Sequence, residues 1–372
     1  MNAQSSIYKS ESTSTVSYDF SRLHKDVRRE LRHLTKGDNW HAPIAIAADL
    51  IGIAVAIALC VTVSWWFYPL ALIYIGSTQR GFVNLLHEST HKILAKNNRF
   101  NLLLGTVFSG YLVFHLYNPY RTSHIGFHHR YLGDPDKDPD YSFHREVGIY
   151  DHDPGNRNFF LRNIGLALLG FRTFAYVKYV VEDRLLFRDK EAKVSMPVKM
   201  GTERAILLLQ WAVIFGVCAY FGWLHLLLLL WFVPLFTTAI AIGWLTELAE
   251  HYPLPESESS QILMTRNRHG WALERYLFGR HNDNYHLVHH LNTGIPFWNM
   301  KKAHKVLLND PAYRRWDGLW AGILTRGPQE GNKETLITYA SKYRDWKRSG
   351  SDPKELRGQD SFATAAAMAA AL

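Results

Sequence analysis

The sequence is poor in cysteine: of 372 residues only Cys60 and Cys218 qualify, and both sit in apolar runs, which excludes a disulfide framework. Charge is missing from long stretches. Residues 205–246 contain no Asp, Glu, Lys or Arg, and residues 42–79 contain only Asp49. The first run has 42 residues; at ~1.5 Å per residue that is about 63 Å of helix, twice a hydrocarbon core of ~30 Å. What is abundant is apolar and aromatic: 47% and 14% of the chain, which excludes a chain disordered along its length.

Each charge-poor run breaks once, at Trp65-Trp66-Phe67-Tyr68-Pro69 and at Gly222-Trp223-Leu224-His225. The pattern predicts an all-α integral membrane protein with four transmembrane helices, about residues 43–65, 68–90, 203–221 and 224–246, paired as two hairpins. Neither hairpin tip carries Lys or Arg, so the positive-inside rule places the N-terminal, central and C-terminal segments in the cytosol. The net charge of +9 by itself admits nucleic acid or an anionic membrane surface as partner; with the spans, the membrane and no nucleic acid is the expectation. Residues 1–20 read as a disordered cytosolic tail without a cleavable signal, 21–330 as the membrane domain, and 331–372 as a C-terminal cytosolic tail. Residues 100–117 fit a buried or interfacial helix, and 159–181 an amphipathic helix in the headgroup region. Asp49 falls near a span end, where capping or snorkelling accounts for it.

Histidine is the other excess, 19 in all. Eight fall in three clusters, His87 and His91, His124, His128 and His129, and His286, His289 and His290; His251 is an outlier after the fourth span. Spacings of three or four put imidazoles on one helix face, where two can share a metal. Adjacent pairs such as His128-His129 diverge by about 100° and serve two metals or two sides of one site. Extending the second and fourth spans past the bilayer lifts His87 and the Glu247–His251 region to one cytosolic level, His87 by roughly 10 Å. Ligation rich in histidine and poor in oxygen favours iron, zinc or copper. His87-Glu88-Ser89-Thr90-His91 also matches the zinc-peptidase motif H-E-x-x-H with Glu88 as general base, but one zinc would leave most of the clustered histidines without a role. A metal transporter is the remaining alternative, and it lacks polar groups at the midplane. His24, His33, His225 and His304 read as surface or interfacial, while His115 and His281 lie near the clusters but off their spacing.

The three clusters and the hairpins closely resemble the membrane fatty acid desaturase and hydroxylase superfamily, over about residues 43–304, with its boxes H-x(3,4)-H, H-x(2,3)-H-H and H-x-x-H-H. That resemblance implies a cytosolic helical cap holding a non-haem di-iron centre, with dioxygen as co-substrate. The implied iron ligands are His87, His91, His124, His128, His129, His251, His286, His289 and His290. Glu247 stands where acyl desaturases commonly have Asn, which implies a carboxylate near one iron or its bound water, and Glu88, Asp283 and Asn284 are implied to hold imidazole N–H groups. Glu250-His251-Tyr252 resembles a motif of membrane alkane hydroxylases, so a hydroxylase is the alternative outcome. Residues 131–140 (Tyr-Leu-Gly-Asp-Pro-Asp-Lys-Asp-Pro-Asp) and 280–285 (Arg-His-Asn-Asp-Asn-Tyr) resemble a bacterial subgroup that includes rhizobitoxine-type desaturases. This implies an inner-membrane location and a substrate that is an acyl chain or a small aliphatic, amino-acid-derived metabolite. No electron-carrying segment is recognisable in the chain, so electrons are expected from a separate donor of ferredoxin, rubredoxin or cytochrome b5 type.

Overall fold

Apolar runs free of charge form the long helices, and the polar stretches between them fold into short ones. The computed structural model describes residues 23–151, 155–186, 194–258, 260–328 and 333–350, and those are helical apart from loops and one isolated bridge between Trp320 and Glu334. The tail expected at 1–20 lies outside the described residues.

Helix α1 (Lys25–Leu34) turns Val27 and Leu31 inward. Helix α2 (His41–Ala58) runs on through a widened turn to Val63. Ser64 then caps the hairpin tip by accepting from the Trp66 N–H, and helix α3 (Tyr68–Thr90) begins with Pro69 in its first turn, where no N–H is needed. Helix α4 (Pro139–Glu146) follows the Asp/Pro stretch. The second charge-free run gives helix α5 (Met200–Tyr220) and a long broken helix that ends in α6 (Thr238–His251).

Among the described residues three segments are long and apolar enough to cross a membrane: His41–Val63, Met200–Tyr220 and Leu224–Ser257. Ile51, Val55, Leu208, Leu209 and Val213 are exposed on their outer faces, as lipid contact requires. The expected second span, α3, does not join these three. Its middle carries Ser77, Thr78 and Gln79, all fully buried. They bond to the carbonyls of Leu277, Tyr74 and Trp231, so this half of α3 runs through protein rather than lipid. The two stretches expected to be interfacial fold as bent pairs, Asn98–Val113 with Tyr117–Tyr131 at 99° and Asn156–Leu168 with Thr173–Leu186 at 76°; counting each as one span would raise the number to five.

Asp49 is neither a cap nor a snorkelling group. It is 4% exposed in the middle of α2, and its carboxylate takes Arg280 Nη1 at 3.2 Å and His281 Nε2 at 2.9 Å. Helices α7 (His286–Leu291) and α8 (Phe297–Leu307) follow that anchored loop. The segment expected as a C-terminal tail holds a packed helix, α9 (Leu336–Arg348). Its start is fixed by reciprocal bonds between Thr335 and Thr338, and Leu336, Ala340 and Tyr343, spaced to share one face, join the core around Tyr252.

Candidate metal centre

Four distant segments deliver the clustered histidines. The end of α3 carries His87 and, one turn later, His91. His251 ends α6, whose terminal carbonyls are capped by Arg266, with Nε on Ala249 O and Nη2 on Tyr252 O, both at 2.7 Å. Helix α7 carries His286, His289 and His290. The second box lies on a widened, π-type turn, Thr122–His128.

All nine predicted histidines converge, in two groups: His87, His91, His124, His129 and His289, and His128, His251, His286 and His290, with ligand atoms in each group within 4.8 Å of one another. The adjacent pairs His128-His129 and His289-His290 are split between the groups, as their divergence requires. The widened turn adds a contact that spacing does not predict: His124 still stacks on His128, four residues on, and shares a group with it and Asp140, but it also meets His129, Nε2 to Nε2 at 2.9 Å.

The donor set fits metal ions. Nε2 atoms face one another at 3.0 Å (His87–His289), 3.0 Å (His129–His289), 3.0 Å (His251–His286) and 3.1 Å (His286–His290). Nitrogens ~2.1 Å from a shared ion lie roughly 3.0–3.4 Å from each other, so these separations suit a common ion. His91 Nε2 is buried without a hydrogen-bond partner, a state that an ion relieves. Burial, then repulsion from neighbouring imidazoles, holds His124, His129 and His290 well below the ordinary imidazole range, in the neutral form that binds metal.

Two outward nitrogens are held by hydrogen bonds and two more face carboxylates, while His289 Nδ1 is buried without a partner among the described residues. His251 Nδ1 donates to Met264 O at 2.9 Å. His128 Nδ1 lies 3.0 Å from Asp138 and 3.5 Å from Asp140. Burial opposes charge on His128, but these carboxylates outweigh it and raise its pKa to about 9. Glu88 Oε2 accepts from the Phe297 N–H at 2.8 Å, and its Oε1 is 3.8 Å from His87 Nδ1. That buried carboxylate is tied to the start of α8 and is not poised as a peptidase base. Asp283 and Glu250 share Arg268, at 2.6 and 3.1 Å, and Glu250 lies 3.6 Å from His286 Nδ1. Asn284 bonds to Arg268 O and not to an imidazole.

A narrow polar cavity adjoins both groups, lined by His87, His124, His128, His251 and His286 and by Arg80, Tyr120, Asp140, Tyr176, Arg184 and Glu247. Glu247 stands outside the histidine groups and accepts from Tyr176 OH at 2.7 Å. His115 also lines this cavity, with Nδ1 on Val113 O at 2.8 Å.

His304 departs from the expectation of a surface residue. It is 7% exposed and forms, with His269 and Asp317, a third buried group. Here His269 Nε2 meets Asp317 at 2.9 Å, His304 Nδ1 meets Tyr313 OH at 2.8 Å, and Asn267 joins Tyr313 and Asp317 while accepting from the Leu287 N–H at 3.0 Å. This network lies under the third box and was invisible to spacing, although the run Arg266-Asn267-Arg268-His269 is dense enough in polar groups to have drawn notice.

The sequence model of the family "Fatty acid desaturase" matches residues 63–318. The chain is 39% identical over 312 residues to the dihydrorhizobitoxine desaturase of Bradyrhizobium elkanii, covering 84% of this chain and 88% of that protein. It is 23% identical over 257 residues to the chloroplastic omega-6 fatty acid desaturase of Spinacia oleracea, covering 68% of this chain and 56% of that protein.

Proposed function

The chain belongs to the fatty acid desaturase family and is an oxidoreductase; from that premise we propose that it is a di-iron, dioxygen-dependent enzyme that introduces a C=C bond into an acyl chain or an aliphatic secondary metabolite. The relative matched over 88% of its length is named for dihydrorhizobitoxine, which favours the metabolite. Two iron ions would activate dioxygen to remove hydrogen from an unactivated carbon, beyond the reach of side-chain acids and bases. In this reading His87, His91, His124, His129 and His289 hold one ion and His128, His251, His286 and His290 the other. Asp138, Asp140, Glu88 and the Met264 carbonyl fix the rings. Glu247, set in the cavity wall beside the histidines, faces the reacting substrate.

The four long helices form two hairpins in an inner membrane, with both termini and the histidines on the cytosolic side, where the basic residues concentrate. Electrons come from a separate, acidic redox protein of ferredoxin, rubredoxin or cytochrome b5 type, which the basic cytosolic surface suits.

The observation that carries this reading is the closure of nine imidazoles from four segments into two adjacent groups. The test is expression with a competent reductase, iron analysis of the purified chain and mass profiling of lipids and small metabolites. About two iron per chain and a product lighter by about two mass units are expected; a product heavier by about sixteen would make it a hydroxylase, and zinc without iron would sink the reading.

A further inference from the structure

Resting on the desaturase reading, we propose that the cavity beside the histidines takes a small substrate head carrying one positive and one negative charge, an α-amino acid zwitterion, with its carboxylate on Arg80 and its ammonium on Glu247. An acyl chain would have to lie against ionised groups, because the lining holds two arginines, several carboxylates and five tyrosines beside Val83, Leu132 and Pro255. An apolar groove does exist, between α2 and α3 at Val55, Leu59, Leu70 and Tyr74, but it is lined by no histidine. Tyr74 and His87 are 13 residues apart on α3, or ~20 Å along the helix.

Most of the cavity's charges are already matched. Arg184 bonds to Asp140 at 2.9 Å and to Ser123 and Tyr179. Asp138 and Asp140 hold His128, and Glu250 and Asp283 share Arg268. Two groups remain. Among the described residues Arg80 has Asn84 as its side-chain partner, and its Nε is buried with none. Among the same residues Glu247 is hydrogen-bonded to the neutral Tyr176 hydroxyl alone and otherwise feels the charge of Arg80, which also faces Asp283. These two lie on packed helices, where the Arg80 stem crosses Gly243 with Cδ 3.4 Å from the site of a Cβ, one turn before Glu247. Arg80 and Glu247 are each the partly open residue in an otherwise buried stretch of helix. They are near neighbours of opposite charge that do not close an ion pair, and a ligand with both charges satisfies both at once.

Binding without turnover tests this on the full-length, detergent-purified protein, by calorimetric titration with norleucine, hexanoate and hexylamine. Norleucine is expected to bind, with each singly charged analogue weaker by at least about tenfold. Arg80→Gln should erase the advantage of norleucine over hexylamine, and Glu247→Gln its advantage over hexanoate. Should a variant not fold, the wild-type series decides alone. Absent norleucine binding, hexanoate binding as tightly as norleucine, or unchanged ratios in both folded variants overturns the proposal. Iron content and product mass judge the desaturase reading separately.

Discussion

His124 and His129 stand five residues apart with their Nε2 atoms 2.9 Å from each other, while His128 between them turns to the other group, its ring centroid 5.0 Å from that of His251. The widened turn Thr122–His128 makes this register, and it lets one short segment serve both groups.

The two groups therefore should empty separately. His91→Ala removes a member of the first and His290→Ala a member of the second. Each purified variant is expected to retain about one metal ion per chain where the parent holds about two, by elemental analysis, with turnover lost in both. Loss of all metal from either variant would mean that the nine rings form one indivisible site.

Asp138 separates orientation from folding. Its carboxylate takes His128 Nδ1 at 3.0 Å, the Gly133 N–H at 3.0 Å and, as the cap of α4, the Asp140 N–H at 3.2 Å. Asp138→Asn can keep a capping oxygen but loses the charge that holds the His128 proton. Metal affinity of the second group should fall ~10–100-fold in chelator competition, while Asp138→Ala adds about 1 kcal/mol of lost capping. Equal affinity of Asn variant and parent would leave Asp138 a cap only.

The sequence made the long apolar runs, the hairpin tips and the clusters of histidine that converge in the fold legible because each rests on composition or short-range spacing. What it hid depends on packing. The pairing of His124 with His129 needs one widened turn that no residue pattern announces. The burial of Ser77, Thr78 and Gln79 takes half of α3 out of lipid, and that follows from partners more than 150 residues away, at Trp231 and Leu277. His304 read as a surface residue because its partners Tyr313, Asp317 and His269 lie on other segments that only packing brings to it.

His304 sets an acid limit on the fold. Burial holds its pKa at about 4, against the pull of Asp317, so the folded chain keeps it neutral while an unfolded one protonates near 6.5. Its folded pKa is depressed, and stability from this group is full above about 6.5 and lost as pH falls towards 4, by a few kcal/mol at most. His304→Gln should lose less in melting temperature between pH 7 and 5 than the parent does, the difference isolating this residue from the other buried imidazoles. Parallel curves would show that His304 does not titrate in that window.

Asp49 ties the first apolar helix to the third histidine box across more than 230 residues of chain. Its two partners sit at a costly bend: His281 and Asn282 both have positive φ, 59° and 61°, without being glycine, a conformation worth ~1–3 kcal/mol each that persists only where neighbours impose it. Arg280 is further held by Ser77, Thr78 and the Tyr276 ring. Asp49→Ala would leave a buried guanidinium and imidazole without their anion, which costs about 3–5 kcal/mol, and would release the strained bend four residues before His286. The expected result is a lower melting temperature together with reduced metal at both groups, since α7 feeds both. Asp49→Asn, which keeps one accepting oxygen for Arg280 but loses the charge and the second acceptor, should fall between. If Asp49→Ala lowers the melting temperature but retains full metal, the anchor stabilises the membrane helices without positioning the third box.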